Sequence, residues 1–338
     1  MRYRLYGVLG SPYVAKLRAL LRYRHIPFDY VPADFDWAPG YTKVRPELAE
    51  VQPRIIPVVR FPSDGSLRVD STVIALDLER LHAERSAVPF DTGLAFLSML
   101  IEDMGDEWAL KVAFQFRWGN EEDRNYSNRL VMSELLGGGT PQSTINRAAD
   151  VFRDRQIGRM PLVGCTPENE KVIAITYDRL MGAFDRLRED RSFLFGGRPS
   201  MGDFGLFGAL FTCRNDPTPG RMMRERSAAT LQWVYQLDEA SGVEGQWRDD
   251  IHPGVVELLR LAGEAYLPFL RANMRAVEEK ADAVALEIFG HPYKQAPFRY
   301  QAKCLRRLQS EYAVLQGDTR RRVREVLGDT GCLAALET

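Results

Sequence analysis

Over about the first 82 residues, β-like and helical runs alternate in an order that few folds accept. Residues 3–9 form a β-like run that hands over at Gly10-Ser11-Pro12-Tyr13. Ser11 suits an N-cap and Pro12 the first helical turn, where a missing N–H costs nothing. Val14, Leu17 and Leu21 then recur at helical spacing and make one buried face. Pro27 ends that helix, and residues 26–31 read as a second strand. Residues 34–53, broken by Pro39, Gly40 and Pro46, are irregular with room for one short helix. Residues 55–61 and 67–69 read as strands around the tight turn Ser63-Asp64-Gly65-Ser66. Asp70 or Ser71 caps a further helix, whose Ile74, Leu78 and Leu81 share a face.

After Pro89 the strand signals fade. A linker is expected at 84–92, with helices from about residue 93. Gly137-Gly138-Gly139 is a loop between helices rather than a phosphate cradle, since no strand precedes it and no Lys-Ser/Thr follows. Ser200 and Asp203 stand at capping-box spacing, and Phe204, Phe207 and Phe211 continue as an apolar stripe. From about residue 246, Val256, Leu259, Ala262 and Leu267, then Leu305, Leu308, Tyr312 and Leu315, suggest amphipathic helices. They flank a break at Gly290-His291-Pro292.

Composition narrows the function class. With 45 basic and 46 acidic residues there is no global field for nucleic acid or a membrane surface. The arginines at 306–307 and 320–324 are interleaved with Glu311, Asp318 and Glu325, so a solvated helix face is expected there. No apolar run approaches the roughly 18 residues of a spanning helix. Met1-Arg2-Tyr3-Arg4 does not resemble the start of a secretory signal, so a cytoplasmic location is expected. Cys165, Cys213, Cys304 and Cys332 are scattered, and the four histidines share no metal-ligand spacing with them. Reduced thiols and no metal are expected.

The chain resembles the cytosolic glutathione transferase superfamily. The resemblance rests on Gly10-Ser11-Pro12-Tyr13 with Arg18, Ile56-Pro57-Val58-Val59, Asp70-Ser71 with Ile74-Ala75, residues 195–204, and Ala229-Thr230-Leu231-Gln232-Trp233, all in family order. It implies an α/β thioredoxin-like N-terminal domain at 1–84 that binds glutathione, then an all-α C-terminal domain at 93–245. Residues 246–338 fall outside the family pattern and are expected to be an additional helical extension. The implied partners are glutathione as co-substrate, a hydrophobic electrophilic small molecule and a second copy of the chain in a homodimer.

The chemistry implied is activation of a thiol. A free thiol has a pKa of about 8.5, so little thiolate is present at neutral pH. A hydroxyl at a helix N-terminus stabilises the anion by hydrogen bonding and through the unsatisfied helix N–H groups. Ser11 takes that role here. Branches of the superfamily that use a strand Tyr would place it at Gly7; Tyr6 is one residue off and points to the opposite face. Branches that use Cys for disulfide exchange are disfavoured, because residues 1–164 contain none.

The resemblance makes Pro57 a cis-Pro that turns the Ile56 backbone toward the cysteinyl part of glutathione. Asp70 and Ser71 take the γ-glutamyl end, with Asp one methylene shorter than the more usual Glu. Ile55 stands where a basic residue often binds the glycine carboxylate, so Arg54, Lys43 or Arg45 must substitute. Tyr13 and Trp108, within an aromatic-rich stretch from Glu102 to Trp118, are the expected electrophile pocket. Two further readings use the same residues. One is a non-catalytic binding or scaffold protein, and the other is a glutathione-dependent lyase or dehalogenase.

Overall fold

The computed structural model describes residues 2–337. Its N-terminal part is a four-stranded mixed sheet in the order β2-β1-β3-β4. Here β1 is Tyr3–Gly7, β2 Phe28–Pro32, β3 Val58–Arg60 and β4 Leu67–Val69. β1 runs parallel to β2 and antiparallel to β3, and β3–β4 is an antiparallel hairpin. Helix α1 (Pro12–Tyr23) makes the crossover and α2 (Ser71–Leu81) follows the hairpin, which is the thioredoxin-like arrangement. Ile55 does not begin a strand; its N–H turns back onto the Pro53 carbonyl at 2.9 Å, and pairing starts at Val58. Leu81, expected on the buried face of α2, is exposed in the last turn.

A helical domain follows. Helix α3 (Thr92–Met104) continues through a π-helical turn, Gly105–Ala109, into α4 (Leu110–Gly119). A hairpin of α5 (Glu121–Leu136) and α6 (Gln142–Arg159) comes next, then α7 (Glu170–Leu187). Helix α8 (Met201–Asn215) is buried over almost its whole length. Its start is set by the capping box: the Ser200 N–H and hydroxyl donate to Asp203 at 2.8 and 2.7 Å. α3 and α8 meet backbone to backbone, since a Cβ on Gly105 would lie 2.4 Å from the Gly205 carbonyl carbon. Helices α9 (Pro217–Arg226), α10 (Ala228–Asp238) and α11 (Pro253–Leu261) complete this layer, and α11 packs on α7.

The C-terminal segment contains α12 (Leu267–Glu279), α13 (Arg299–Ala313), α14 (Gly317–Asp329) and α15 (Leu333–Leu336). It is not purely helical. The expected break at Gly290-His291-Pro292 is an antiparallel hairpin of β5 (Val284–Ile288) and β6 (His291–Gln295). Phe289 and Gly290 both adopt positive φ, 54° and 74°, as a two-residue hairpin turn demands. The segment is also not separate, because one apolar core runs continuously from Leu5 through α8 to Leu336. A second cluster packs the α5–α6 hairpin against Phe35, Trp37 and Leu48 of the loop after β2. Several arginines of α13 and α14 are paired with acids: Arg306 with Glu278, Arg322 with Asp91, Arg324 with Glu337. Arg307 departs from a solvated face and reaches inward to Asp103.

Candidate functional site

A cavity of about 530 Å³ opens between the sheet domain and the helices. Ser11, Pro12 and Tyr13 at the start of α1 line it, together with Arg54, Ile56 and Pro57 before β3 and Asp70-Ser71 at the start of α2. Two helix N-termini therefore contribute residues to one space, each turning the positive end of its helix dipole toward it. Ser11 is extended (φ −82°, ψ 129°), and its Oγ accepts from the Val14 N–H at 3.5 Å. Accepting through an oxygen lone pair does not use the hydroxyl's own proton, which is left to donate. The Ile56–Pro57 peptide bond is cis.

Asp70 caps α2, its Oδ1 accepting from the N–H groups of Thr72 (3.0 Å) and Val73 (3.3 Å). Its Oδ2 accepts from the Tyr300 hydroxyl at 2.8 Å. The C-terminal segment thus reaches into the sheet domain's half of the site. Asn273, buried in α12, positions this contact. It accepts from the Phe298 N–H at 2.7 Å and donates to the Phe298 carbonyl at 2.9 Å, which pins the start of α13.

The π-helical turn places two acids on the same side. Asp106 accepts from Lys16 Nζ at 2.6 Å and from the Ser71 hydroxyl at 3.4 Å, and Lys16 also reaches Glu102 at 2.5 Å. All three side chains are buried. Lys16 is held firmly protonated, the pull of the two carboxylates exceeding the cost of burial. Asp106 moves the opposite way from what one ion pair implies. Burial, with the Glu102 charge added, raises it despite Lys16, because one ammonium is shared between two acids. Glu107 lines the cavity and accepts from Gln301 Nε2 at 3.1 Å. Burial, then the charges of Asp103 and Asp106, push its carboxyl up to about 8. The Tyr13 hydroxyl donates to the Asp106 carbonyl at 3.1 Å, and burial next to Glu107 raises it well above the ordinary phenol value.

Lys111, lowered to about 8 by burial, donates to the Val163 carbonyl and to Gln295 of the new hairpin, both at 2.8 Å. Arg117 is locked to Asp216 at 2.7 Å. Phe114, Trp118 and Phe152 make an aromatic wall, with Arg155 and Arg159 of α6 beside it.

Of the residues expected at the site, Ser11, Tyr13, Arg54, Ile56, Pro57, Asp70 and Ser71 all line this cavity. Trp108 does not. Its ring is buried against Phe269 and Tyr293 and its Nε1 donates to Thr176 Oγ1 at 3.2 Å. Lys43 and Arg45 stay outside, with Arg45 bonded to the Pro32 carbonyl. Tyr6 is buried and lies outside the lining. Glu107, Lys111, Arg155, Arg159 and Tyr300 were not expected. Only the aromatic wall had a signal, in the richness of the 102–118 stretch. Among the described residues no group of three or more His, Cys, Asp or Glu side chains is arranged to hold a metal, and no helix is long and apolar enough to cross a membrane. The four cysteines are free and buried.

Comparison with known proteins decides the family. The family description "Glutathione S-transferase, N-terminal domain" matches residues 5–86, and "Glutathione S-transferase, C-terminal domain" matches 170–259. The chain belongs to the glutathione S-transferase family. Residues 87–169 and 260–338 of this family member lie outside both matches, yet both segments line the cavity. No curated protein matches the chain. Among solved structures it is similar to a glutathione S-transferase from Methylobacterium radiotolerans in complex with glutathione sulfonate, at 19% identity. That match covers 74% of this chain and 98% of the other, with a TM-score of 0.45. It is also similar to the beta-etherase LigF from a Sphingobium strain, at 17% identity, covering 76% and 98%, with a TM-score of 0.46. A third is a glutathione S-transferase from Rhodospirillum rubrum, at 17% identity, covering 76% and 91%, with a TM-score of 0.41.

Proposed function

We propose that this protein is a glutathione-dependent transferase in which Ser11 stabilises the glutathione thiolate for attack on a hydrophobic electrophile. The observation that carries the reading is Ser11 itself: a hydroxyl with a free proton, at the N-terminus of a buried helix, on the wall of a cavity between the two domains. A thiol placed there loses its proton to water. The anion keeps the Ser11 hydrogen bond and the favourable field of α1. The thiolate lone pair then forms the C–S bond, and the electron pair of the broken bond leaves with the departing group or stays on the opened ring. In the bound state the start of α2 receives the γ-glutamyl carboxylate, Asp70 the ammonium, and Arg54 the glycine carboxylate. The protein acts in the cytoplasm as a homodimer.

The test is glutathione binding by calorimetry together with conjugation of aryl halides, epoxides and isothiocyanates. Ser11→Ala should lower kcat/KM by about 10- to 100-fold, the worth of one hydrogen bond to an anion, while Tm falls by only about 1–3 °C, the cost of one lost helix cap in a chain of this size. Unchanged turnover removes Ser11 from the mechanism. Product analysis separates conjugation from lyase or dehalogenase chemistry on the same residues.

One observation favours a second reading. The Tyr300 phenol already occupies Asp70 Oδ2, so an incoming ammonium must share or displace it. If the glutathione Kd lies far above millimolar, the chain is a non-catalytic binding protein on this fold.

A further inference from the structure

The charges around the cavity do not balance, and the imbalance lies away from the thiolate end. Its acids are accounted for. Asp70 is held by α2 and Tyr300, Asp106 by Lys16, and Glu107 keeps its proton to about pH 8. Two of its cations are also engaged, Arg117 by Asp216 and Lys111 by Val163 and Gln295. Three lining guanidiniums, those of Arg54, Arg155 and Arg159, meet no carboxylate at ion-pair distance among the described residues. Arg54 stands beside the Ile56–Pro57 segment, where the glycine end of glutathione is read. Arg155 and Arg159 are on a different element, α6, one helical turn apart on one face.

Like charges at this spacing oppose each other and destabilise a helix. Arg155 is half-buried, and its guanidinium lies 5.9 Å from the centre of the Trp37 ring. Among the described residues its one hydrogen bond is to Gln156 Oε1 at 2.8 Å. Burial and the neighbouring Arg159 charge both disfavour its protonated form. Among the described residues Asp34 is the acid whose charge reaches Arg155, and its carboxylate is committed to the N–H groups of Asp36 and Trp37. Phe152, one turn back on α6, makes an edge contact with Trp118 at 5.7 Å, and Phe114 packs on Trp118 at 6.2 Å. An aromatic wall thus ends at two unneutralised guanidiniums, a pairing suited to a flat ring that carries an anion.

We propose that the electrophile is an aromatic compound bearing a carboxylate or sulfonate, its ring against Phe114, Trp118 and Phe152 and its anion between Arg155 and Arg159. The inference rests on the reading that this cavity takes glutathione. It concerns a segment, 87–169, that the family matches leave out.

Three stable conjugates test it by titration calorimetry on the full chain: S-benzylglutathione, S-(4-carboxybenzyl)glutathione and the isosteric S-(4-carbamoylbenzyl)glutathione. The carboxylate conjugate should bind about tenfold more tightly than the carbamoyl one, as expected for a charge-assisted contact at a part-exposed site. That gap should fall to within about twofold in Arg155→Gln/Arg159→Gln. It should survive in Arg155→Lys/Arg159→Lys, which keeps the charge, and in Arg54→Gln, which weakens all three conjugates alike. If S-benzylglutathione binds and the gap is absent in the parent protein, the anionic electrophile is wrong while the glutathione reading stands. A gap that persists in the double Gln variant, or vanishes in Arg54→Gln, overturns the assignment to α6. If S-benzylglutathione does not bind at all, the glutathione reading fails and this inference falls with it.

Discussion

Replacing Lys16 with Met should strain the junction of the two domains more than any other change on α1. The ammonium is fully buried, 2.5 Å from Glu102, 2.6 Å from Asp106 and 3.2 Å from the Thr72 hydroxyl. Met fills most of the same volume, so the loss is electrostatic. It leaves Glu102 and Asp106, with Asp103 nearby, facing only Arg307, whose guanidinium is 3.9 Å from Glu102. Removing one partner from a buried ion pair costs about 3–5 kcal/mol. The lower end applies here, because Asp106 is already raised and a proton taken up by the cluster limits the penalty. For a chain of 338 residues unfolding as one unit, with an entropy of about 0.7 kcal/mol/K, a loss of about 3 kcal/mol should lower Tm by about 4 °C.

The pH dependence has a definite sign. A carboxyl raised in the folded state loses stability as pH climbs from its unfolded value, about 4, to its folded one. Deleting Lys16 raises the cluster further, so the Tm deficit should be larger at pH 8 than at pH 5.5. Thermal melts followed by circular dichroism at both pH values measure this. Lys16→Met/Glu102→Gln should recover part of the loss at pH 8. A deficit below 1 °C at pH 8, or one equal at the two pH values, would refute the claim that Lys16 neutralises buried carboxylates.

The carboxyl of Glu107, pushed up to about 8, makes the parent protein lose stability between roughly pH 4 and 8. Glu107→Gln should therefore match the parent near pH 5 and exceed it at pH 8 by on the order of 2 kcal/mol, after allowance for its partial exposure to the cavity. A stability difference that stays flat across that range contradicts the assignment. Trp108→Ala should cost about 3–5 kcal/mol in urea melts and change the S-benzylglutathione Kd less than twofold; a larger change in Kd returns Trp108 to the pocket. Gly105→Ala forces a Cβ to within 2.4 Å of the α8 backbone and should destabilise by about 1–3 kcal/mol or more, read as a lower Tm. No change in Tm would mean that α3 and α8 can part freely.

What could be read directly were features whose cause is local. Ser11-Pro12, Asp70 and the Ser200/Asp203 pair announce helix starts because the capping side chain and the N–H it accepts from are three or fewer residues apart. The hairpin at 284–295 has a local cause too, in the alternation of Val284, Leu286 and Ile288 before Phe289-Gly290. It was masked by the helical periodicity on both sides. Trp108 differs because an aromatic-rich stretch does not mark which of its rings face a cavity and which the core; Phe269, Tyr293 and Thr176, all distant in sequence, enclose it.

Local chemistry within the chain was enough to specify the strand–helix order of the sheet domain, the caps that start α1, α2 and α8, and a hydroxyl at the head of α1. Those depend on contacts a few residues long, which residue type and spacing encode. Folding alone brought Tyr300 to Asp70 across 230 positions, set Lys16 between Glu102 and Asp106, and left Arg155 and Arg159 unneutralised beside an aromatic wall. A charge's meaning depends on which distant group fills the space beside it. That is a property of packing, and no stretch of the sequence carries it.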